Sequence, residues 1–371
     1  MHLYDEIGVT RVINASGSMT YLGGSLIAPE VLEKMNEAAS AFVVMEELMD
    51  WAGEEVARLT GAESGMVTSG SAGGILLSCA ACITGEDRQK MRQLPAVEGR
   101  NEFVMQKQHR IGFDHAVGVA GGKIVEVGGQ QGTELAQIEA ALCERTAAIL
   151  HVVLDPRPTV PLARVVELAH AHSLPVIVDA AAELPPVDNL HAFLAAGGDL
   201  VIFSGGKDIS GPNDSGILCG RADLIRAARA QAFPNGPIGR PLKVSKEQIV
   251  GLVFALRRFK GLDEGERMRR WQGLAEAMCA QLQGIAGVEA DIAQPTRGGR
   301  PLVIPRARLQ IDEALLGRTV GQIEEELEQG KPAIAVSIDT GKAAIWLNPQ
   351  HLTDGQENIV AQRMVEVLEA K

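Results

Sequence analysis

The 371-residue chain has few aromatic residues, no excess of positive charge and no long apolar run. Aromatic residues make up only 4% of the chain while apolar residues make up 46%, so a core must consist mostly of Ala, Val, Ile and Leu. Lys and Arg number 35 against 47 Asp and Glu, which gives a net charge of −12. Because proteins bind phosphate backbones with clustered basic residues, this balance disfavours a nucleic-acid partner.

Targeting segments, metal motifs and a disulfide framework are also missing. The N-terminal residues include early acidic side chains and form no apolar run of signal-peptide length, and no segment approaches a membrane span. The five cysteines are scattered and odd in number, which indicates reduced thiols and a cytoplasmic location. Cys79 and Cys82 form a C-x-x-C pair in an apolar, helix-like segment without a second Cys or His pair, so we interpret them as packing residues. We expect no metal site, since no H-x-x-H or H-E-x-x-H motif occurs.

Between residues 65 and 220 the chain alternates short apolar runs with helical patterns. The runs are nearly continuous in Val, Ile and Leu, which is typical of a mostly parallel sheet covered by helices on both faces. Later residues predict long helices, then short strands and a final helix. We therefore predict an N-terminal helical segment bridging the domains (1–60), a large domain (61–259) and a small C-terminal α+β domain (260–371). The predicted strands are 65–69, 102–106, 123–127, 148–154, 174–179, 199–204 and 215–220, then 288–292, 302–304, 333–338 and 343–347.

Two charged residues stand where buried strands of this predicted sheet end. Lys207 lies in DLVIFSGGKDISGP, two glycines after a strand that ends at Ser204. A lysine on a loop is commonly solvated, but one held in a desolvated cleft has a lowered pKa and can form an imine. Asp179 ends the apolar strand PVIVD, where a carboxylate either caps the next segment or faces a pyridinium nitrogen. A strand-ending Asp followed by a Lys after the next strand indicates a cofactor site more specifically than either residue alone.

A third pattern, TSGSAGG, lies between a predicted strand and a predicted helix. Its small residues let backbone N–H groups approach an anion, the helix N-terminus favours negative charge, and Ser69 and Ser71 add hydroxyl donors. This suits a phosphate monoester, although a simple tight turn is the alternative. The segment has neither a Walker lysine nor the G-x-G-x-x-G pattern of dinucleotide sites, which disfavours nucleotide binding.

The phosphate turn, the acid and the lysine occur in the order that a pyridoxal-5′-phosphate (PLP) domain needs. Further segments carry a family resemblance over nearly the whole chain: RVINASGSMTYLGGS, ELMDWAGEEVARLTGAE, QKQHRIGFDHAV, PNGPIGRPLKVSKEQIVGL and LNPQHLTDGQ. The chain resembles the selenocysteine synthase-related branch of fold-type I PLP enzymes. Within it, the chain is similar to short bacterial D-glucosaminate-6-phosphate ammonia-lyases and L-seryl-tRNA(Sec) selenium transferase-like proteins. The resemblance implies PLP as cofactor, an aspartate-aminotransferase-like α/β fold with a mostly parallel large-domain sheet, and at least a homodimer.

The resemblance also implies roles for individual residues. Lys207 corresponds to the lysine that holds PLP as a Schiff base, and Asp179 corresponds to the partner of the pyridinium nitrogen. His109 lies where related enzymes place a residue over the PLP ring, with a buried structural histidine as the alternative. The predicted cofactor-binding residues are Ser69, Gly70, Ser71, Ala72, His109, Asp179, Ser204 and Lys207.

Anion recognition is predicted at a Gly/Pro-rich loop after the large domain. Arg240 and Lys243, in GRPLK, suit a carboxylate or phosphate, although a charged surface loop is the alternative. Arg110 is expected to face a substrate anion or a neighbouring subunit. The N-terminal segment is expected to form a wall on the substrate side. The predicted substrate-binding residues are Asn14, Ser16, Thr20, Arg110, Arg240 and Lys243.

The leading prediction for the reaction is α,β-elimination of the ammonia-lyase or dehydratase type. Lys207 removes the Cα proton of a hydroxyamino acid, and the products are a keto acid and ammonia. The predicted substrates include phosphorylated hydroxyamino acids such as D-glucosaminate 6-phosphate. Racemisation or epimerisation, with His109 as a second acid or base, aldol cleavage and transamination remain alternatives. Selenium transfer to seryl-tRNA is disfavoured, because full-length selenocysteine synthases have an extra N-terminal tRNA-binding region. A non-catalytic PLP-fold protein is disfavoured by the intact lysine and aspartate.

Overall fold

The computed structural model describes residues 2–153, 159–297, 300–301 and 303–370. The chain forms two compact units. Unit 1 comprises Met1–Gly24, Leu262–Thr296 and Pro301–Lys371, and unit 2 comprises Ser25–Gly261 and Arg297–Arg300. The predicted N-terminal segment, residues 1–60, divides between the units after Gly24. The reason is that Val12–Asn14 pairs with a strand of unit 1, whereas the helices after Ser25 pack within unit 2.

Unit 2 alternates helices and strands, as its sequence pattern predicts. The first elements of the chain, α1 (Leu3–Glu6) and β1 (Val12–Asn14), belong to unit 1. The elements of unit 2 follow: α2 (Pro29–Ala39), α3 (Met45–Thr60), β2 (Ser64–Ser69), α4 (Gly70–Thr84), α5 (Arg88–Gln93), β3 (Glu102–Gln106), α6 (His115–Val119), β4 (Lys123–Val127), α7 (Leu135–Ala141), β5 (Thr146–Val152), α8 (Leu162–Ala171), β6 (Val176–Asp179), α9 (Asn189–Ala195), β7 (Leu200–Ser204), β8 (Ser215–Gly220), α10 (Ala222–Gln231) and α11 (Lys246–Lys260).

The strands of unit 2 form one seven-stranded sheet in the order β2-β8-β7-β6-β5-β3-β4. Strand β8 is antiparallel to both of its neighbours, and the other pairs are parallel. The prediction of an α/β fold with a mostly parallel sheet is therefore confirmed. The predicted strand 148–154 begins two residues earlier in the structure, and Leu154 lies outside the described residues.

Helix α4 lies at the centre of the larger core, because it is apolar on nearly all sides. A β-carbon at Gly74 would lie 3.0 Å from Ile202 of β7, so the missing side chain lets helix and sheet approach closely. Cys79 is fully buried in this helix, and burial raises the pKa of its thiol well above the ordinary value. The C-x-x-C pair thus lies in a packed helix.

The remaining elements of unit 1 are α12 (Glu264–Leu282), β9 (Val288–Ala293), β12 (Arg306–Ile311), α13 (Glu313–Leu316), α14 (Val320–Glu328), β13 (Ala333–Ala335), β14 (Ser337–Asp339), β15 (Ala344–Leu347) and α15 (Gln356–Glu369). Four of the strands form an antiparallel sheet in the order β14-β15-β12-β9. Two short strands, β10 (Thr296–Arg297) and β11 (Arg300–Pro301), pair with each other, and β1 pairs in parallel with β13. In the described part of the chain, no helix combines the length and the apolar character needed to span a membrane.

Two predicted strands of unit 1 were wrong in their bounds. Of the predicted strand 302–304, Leu302 lies outside the described residues and the next two residues form a bend. Pairing starts only at Arg306, because Pro305 has no N–H to donate to a ladder. The predicted strand 333–338 is divided between β13, which pairs with β1, and β14, which pairs with β15.

Candidate active site

Three predicted site residues stand at one edge of the large sheet. Strands β2, β6 and β7 run in the same direction, so their last residues, Ser69, Asp179 and Ser204, all lie at the carboxyl edge. Asp179 is registered opposite Ile202 of β7, two residues before that strand ends. The carboxyl edge of an open parallel sheet is where such folds bind ligands.

The N-terminus of α4 lies at this edge and has the features of an anion site. Ser69 occupies the N-cap position but makes no capping hydrogen bond with its side chain. Gly70 begins the helix with φ +66°, and a β-carbon there would meet no atom within 4 Å. The hydroxyl of Ser71 has no hydrogen bond to any described residue. The N–H groups of the first turn and this hydroxyl can therefore bind an anion, which the helix dipole also favours.

Strand β8 connects this turn to the strand that precedes Lys207. Gly216 of β8 is registered opposite Ser204 of β7. A β-carbon at Gly216 would lie 2.5 Å from the carbonyl carbon of Gly70, so only glycine lets the two backbones meet this closely. The hydroxyl of Thr68 donates to the carbonyl of Gly70 at 2.8 Å, which fixes the start of α4. The anion-binding turn and the lysine strand are thus in direct backbone contact.

Lys207 lies on a tightly hydrogen-bonded loop between β7 and β8. The N–H of Gly205 donates to Ser215 at 2.9 Å, and the N–H of Gly211 donates back to Gly205 at 2.9 Å. The N–H of Ser210 donates to the carbonyl of Lys207 at 2.9 Å, and Ser210 has φ +58°, a conformation that costs energy for any residue except glycine. The side chain of Lys207 is half-buried, consistent with a lysine that is not on a freely solvated surface loop.

Asp179 is buried at the end of β6. Its Oδ1 atom accepts a hydrogen bond from the N–H of Ala181 at 3.0 Å, and the N–H of Ala180 donates to Ile202 of β7 at 3.0 Å. The carboxylate is therefore held at the carboxyl edge by the backbone that follows it. This geometry is compatible with both interpretations made from the sequence, a local cap and a partner for a ligand nitrogen.

His109 is buried after the end of β3, and its ring meets a second histidine. The ring centroids of His109 and His151 are 4.5 Å apart, and the rings meet edge to face at 78°. Burial and the neighbouring His109 lower the pKa of His151 to about 3, so the ring of His151 is neutral. Its Nδ1 atom is buried without a hydrogen-bond partner among the described residues. His151 was not among the predicted site residues, although a polar residue inside the apolar run of β5 was a signal.

Comparison with known proteins identifies the family of this chain. The model of the SelA family, L-seryl-tRNA selenium transferase, matches residues 12–275. The chain therefore belongs to the SelA family.

Individual members of the family match over very different lengths. D-glucosaminate-6-phosphate ammonia lyase of Salmonella typhimurium is 36% identical, over 99% of this chain and 98% of its own length. The 5′-C-glycyluridine monooxygenase-decarboxylase of a Streptomyces species is 35% identical, over 98% of this chain and 92% of that protein. An L-seryl-tRNA(Sec) selenium transferase of Nitratidesulfovibrio vulgaris is 30% identical over 67% of this chain and 55% of the transferase. Sequence similarity at this level thus joins proteins of different named activities.

Solved structures agree with this assignment. The structure of D-glucosaminate-6-phosphate ammonia-lyase has a TM-score of 0.87 at 35% identity and covers 100% of this chain and 98% of its own. The Escherichia coli cysteine desulfurase CsdA has a TM-score of 0.59 at 17% identity, over 93% of this chain and 92% of its own, a likeness of fold alone. The predicted family and fold class, PLP fold type I, are confirmed, and an enzyme of the lyase class is supported. Racemase, epimerase and aldolase alternatives are not favoured.

Arg110, a predicted substrate residue of this SelA-family chain, is occupied by ion pairs. Its guanidinium lies 2.6 Å from Asp114 and 2.9 Å from Glu126. These hydrogen bonds raise its pKa, so the cation is stabilised by the protein itself. A role toward a substrate anion stays a prediction, and such an anion would compete with two carboxylates.

The loop of Arg240 and Lys243 lies against the helix that begins at the anion-binding turn. Both cations lie over the ring of Phe233, at 5.1 Å for Arg240 and 5.8 Å for Lys243. Leu242, between them in the chain, comes close to α4 near its start, since a β-carbon at Gly73 would lie 3.7 Å from its Cδ1 atom. The two cations therefore belong to a loop that packs beside this turn.

The N-terminal candidates lie in unit 1, where they organise a turn. Asn14 donates to the carbonyl of Gly17 at 2.8 Å and accepts from the N–H groups of Ser16 and Gly17 at 3.0 Å. The hydroxyl of Ser16 is 2.9 Å from that of Ser337. Thr20 is exposed at the start of a short 3₁₀ turn. Their substrate role stays a prediction, and their side chains have a structural task in this unit.

Unit 1 also contains a candidate that was not predicted from the sequence. Arg306, the first residue of β12, is half-buried, and burial lowers its pKa to about 10. Its Nε atom has no hydrogen-bond partner in the described part of the chain. A desolvated guanidinium is an anion-binding candidate. Nothing in its sequence context distinguished Arg306 from a surface arginine.

Proposed function

We propose that this SelA-family protein is a PLP-dependent lyase that eliminates a β-hydroxyl group from a hydroxyamino acid and releases a keto acid and ammonia. The observation that carries this proposal is the arrangement at the carboxyl edge of the large sheet. An uncapped helix N-terminus, the buried Asp179 and the loop of Lys207 lie at one edge, joined through the contact between Gly216 and Gly70.

The residues at this edge fit PLP. The first turn of α4 and the hydroxyl of Ser71 are available for a phosphate, and Gly70 leaves open space beside them. Asp179 supplies a buried carboxylate for the ring nitrogen, and Lys207 supplies an amine for the carbonyl carbon. When bound, PLP supplies an electron sink for the charge that develops at Cα. We also propose His109, buried after β3, as the residue that covers the ring, and Ser204, Ser69 and Ala72 as further cofactor contacts.

Proton movement is assigned to two side chains of this chain. Lys207, as a free amine, removes the Cα proton of the substrate and returns it to the departing hydroxyl as the leaving group is lost from Cβ. Asp179, as a carboxylate, holds a proton on the ring nitrogen opposite. The half-buried position of Lys207 supports the first role, and the burial of Asp179 beside the donating N–H of Ala181 supports the second.

The proposed substrate is a phosphorylated hydroxyamino acid such as D-glucosaminate 6-phosphate. The ammonia lyase that acts on this compound by name matches the chain over nearly its full length in sequence and in structure. Arg240 and Lys243, both over Phe233 on a loop that packs on α4, support a second anion-binding position for its phosphate or carboxylate. Monooxygenase-decarboxylase chemistry is the second candidate, because a relative with that name is 35% identical.

We also propose that the protein acts in the cytoplasm as at least a homodimer. The cysteines are free thiols, which supports a reducing compartment. Phe42, Val43 and Val44 are exposed in unit 2, with 104%, 48% and 59% of their side chains accessible. An apolar segment of this kind is typical of a subunit contact. Light scattering on the purified protein measures the oligomeric state, and a monomer at all concentrations would contradict the dimer.

The experiment that tests the proposed function begins with the visible absorbance of the protein after addition of PLP. We expect an absorbance band that borohydride removes, with the label on Lys207, and no such band in Lys207→Ala. Ammonia and keto acid are then measured with D-glucosaminate 6-phosphate and with unphosphorylated D-glucosaminate. We expect release from the phosphorylated compound, and an increased KM in Arg240→Ala. Consumption of O₂ with release of CO₂ from a glycyl nucleoside, without elimination, would favour the second candidate.

A further inference from the structure

Ser25, the first residue of unit 2, contacts the loop of Lys207 from a distant part of the chain. Its hydroxyl lies 3.0 Å from the carbonyl oxygen of Gly206 and 2.8 Å from that of Lys207. The hydroxyl donates its single proton to both carbonyls as a bifurcated hydrogen bond. One side chain therefore serves two consecutive peptide groups of the loop.

These two peptide groups flank the α-carbon of Lys207. The carbonyl of Gly206 belongs to the peptide plane before this α-carbon, and the carbonyl of Lys207 belongs to the plane after it. Holding both planes restricts φ and ψ of Lys207 together, because these are the soft torsions between them. The direction in which its side chain leaves the backbone is then restricted as well.

The loop depends on such outside support. A β-carbon at Gly206 would lie 2.4 Å from the α-carbon of Asn213, so the backbone is pressed against the far side of the loop. Ser210 has φ +58°, and its N–H shares the carbonyl of Lys207 with Ser25. A loop with a residue in this sparsely populated conformation persists only when surrounding contacts hold it.

The elements around Ser25 fix its position relative to the loop. Helix α2 begins four residues after Ser25 and packs against α11. At Gly251 of α11 a β-carbon would lie 2.8 Å from the sulfur of Met35 in α2 and 3.1 Å from Pro212 of the lysine loop. Helix α2, which follows Ser25, and the loop of Lys207 thus pack around the same residue of α11, which supports the position of the hydroxyl near its two acceptors.

We propose that Ser25 is a positioning residue for Lys207, a step that rests on the proposed function of Lys207 as the cofactor-binding lysine and base. Its hydroxyl holds the backbone torsions of Lys207, which fixes the Cα–Cβ bond from which the amine reaches the Cα proton. Proton transfer is sensitive to such placement, and a displacement of about 1 Å can cost about 100-fold in rate.

The experiment compares Ser25→Ala and Ser25→Thr with the wild type. In protein without cofactor, hydrogen exchange of the peptide spanning residues 204–212 reports the stability of the loop. We expect faster exchange of the Ser210 and Gly211 amides in Ser25→Ala, by about tenfold, and near wild-type exchange in Ser25→Thr, which keeps the hydroxyl. In protein with cofactor, kcat of Ser25→Ala falls about 10- to 100-fold with KM within about threefold, and Ser25→Thr recovers most of it.

A matched control is Ser40→Ala, which removes an exposed hydroxyl that donates to the carbonyl of Glu37 at 2.7 Å in the same unit. It should change neither loop exchange nor kcat. Unchanged exchange and kcat in Ser25→Ala, with a normal absorbance band in the wild type, would overturn this inference alone. Failure of the wild type to bind PLP at all would sink the proposed function, whereas the exchange result would still report whether Ser25 holds the loop.

Discussion

The two edges of the seven-stranded sheet differ in whether the protein itself supplies hydrogen-bond partners for polar groups. At the amino edge, Asp199 is buried and its carboxylate accepts from three donors, the N–H of Val176 at 2.8 Å, His170 at 2.9 Å and Arg221 at 3.1 Å. At the carboxyl edge, the start of α4 has no side-chain cap, and Nδ1 of His151 has no partner among the described residues.

The difference indicates that the amino edge contributes to stability and the carboxyl edge to ligand binding. Buried polar groups are normally satisfied, and one that is left open in a packed protein needs an explanation. The amino edge satisfies its carboxylate within the protein, as a structural network does. The carboxyl edge keeps donors and acceptors open where parallel sheets bind ligands. Substitutions at the two edges should therefore change different measured quantities.

Asp179→Asn tests the carboxyl edge with the largest expected effect. We expect kcat/KM to fall by about 100-fold or more, because the amide cannot hold a proton on the ring nitrogen, and groups that control a proton contribute about 10²- to 10⁴-fold. The melting temperature of the protein without cofactor should change little, since the amide oxygen can still accept from the N–H of Ala181. Steady-state kinetics and thermal unfolding measure the two effects. Full activity of this variant would refute the role of Asp179.

Asp199→Asn is the counterpart at the amino edge. The amide loses the charge that pairs with His170 and Arg221, so we expect the free energy of unfolding to fall by about 2–4 kcal/mol. Below the melting temperature, kcat/KM should stay at the wild-type value. Urea unfolding measures the first effect. Asp223→Asn is a control on the exposed side of Arg221, with an expected loss below about 1 kcal/mol. Lost activity in a folded Asp199→Asn protein would contradict the assignment of the amino edge to stability alone.

His151→Phe tests, through pH, the histidine whose Nδ1 atom has no hydrogen-bond partner among the described residues. The pKa of His151 is about 3 in the folded protein, against 6.5 for the ordinary side chain, so below pH 6.5 the unfolded chain binds a proton that the folded protein excludes. This residue therefore leaves stability intact above pH 6.5 and lowers it by about 1.4 kcal/mol per pH unit as the pH falls toward 3. In His151→Phe the loss of stability between pH 6 and pH 4 should be smaller by about 2.5 kcal/mol, because the slope acts over two pH units. Equal pH profiles of unfolding in the two proteins would show that His151 is not held neutral.

The sequence predicted the carboxyl edge better than the amino edge, for a physical reason. Strand-end residues such as Asp179 and the residues just after strands, such as Lys207, can be located by following one apolar run to its end. The network of Asp199 joins residues 170, 176 and 221, so it depends on strand order and on contacts distant in sequence. Whether the located residues hold PLP stays a prediction.

Residues outside the apolar strand pattern were missed for the same reason. The contact of Ser25 with Lys207 spans 182 positions, and a serine after two glycines is unremarkable in sequence. His151 lies inside the apolar run of β5, where a polar residue was a signal, but its packing against His109 depends on contacts distant in sequence. The start of β12 was predictable from Pro305, because a proline cannot donate to the ladder.

The smallest expected effect lies within α4 itself. Substitution of two serines, Ser71 and Ser78, compares the anion-binding end of this helix with its buried middle. Ser71→Ala removes a hydroxyl that bonds no described residue, so the melting temperature should not change. The dissociation constant for PLP should rise about tenfold, the equivalent of a hydrogen bond of about 1.5 kcal/mol to a charged group. Ser78→Ala removes a buried hydroxyl that donates to Gly74 at 2.7 Å, so it should lower stability by about 1 kcal/mol and leave PLP affinity unchanged. Absorbance titration with PLP, repeated with inorganic phosphate as competitor, measures the dissociation constant for PLP in both variants. If Ser71→Ala binds PLP as tightly as the wild type, the phosphate is held by the backbone of this turn alone, and the hydroxyl has no part in the site.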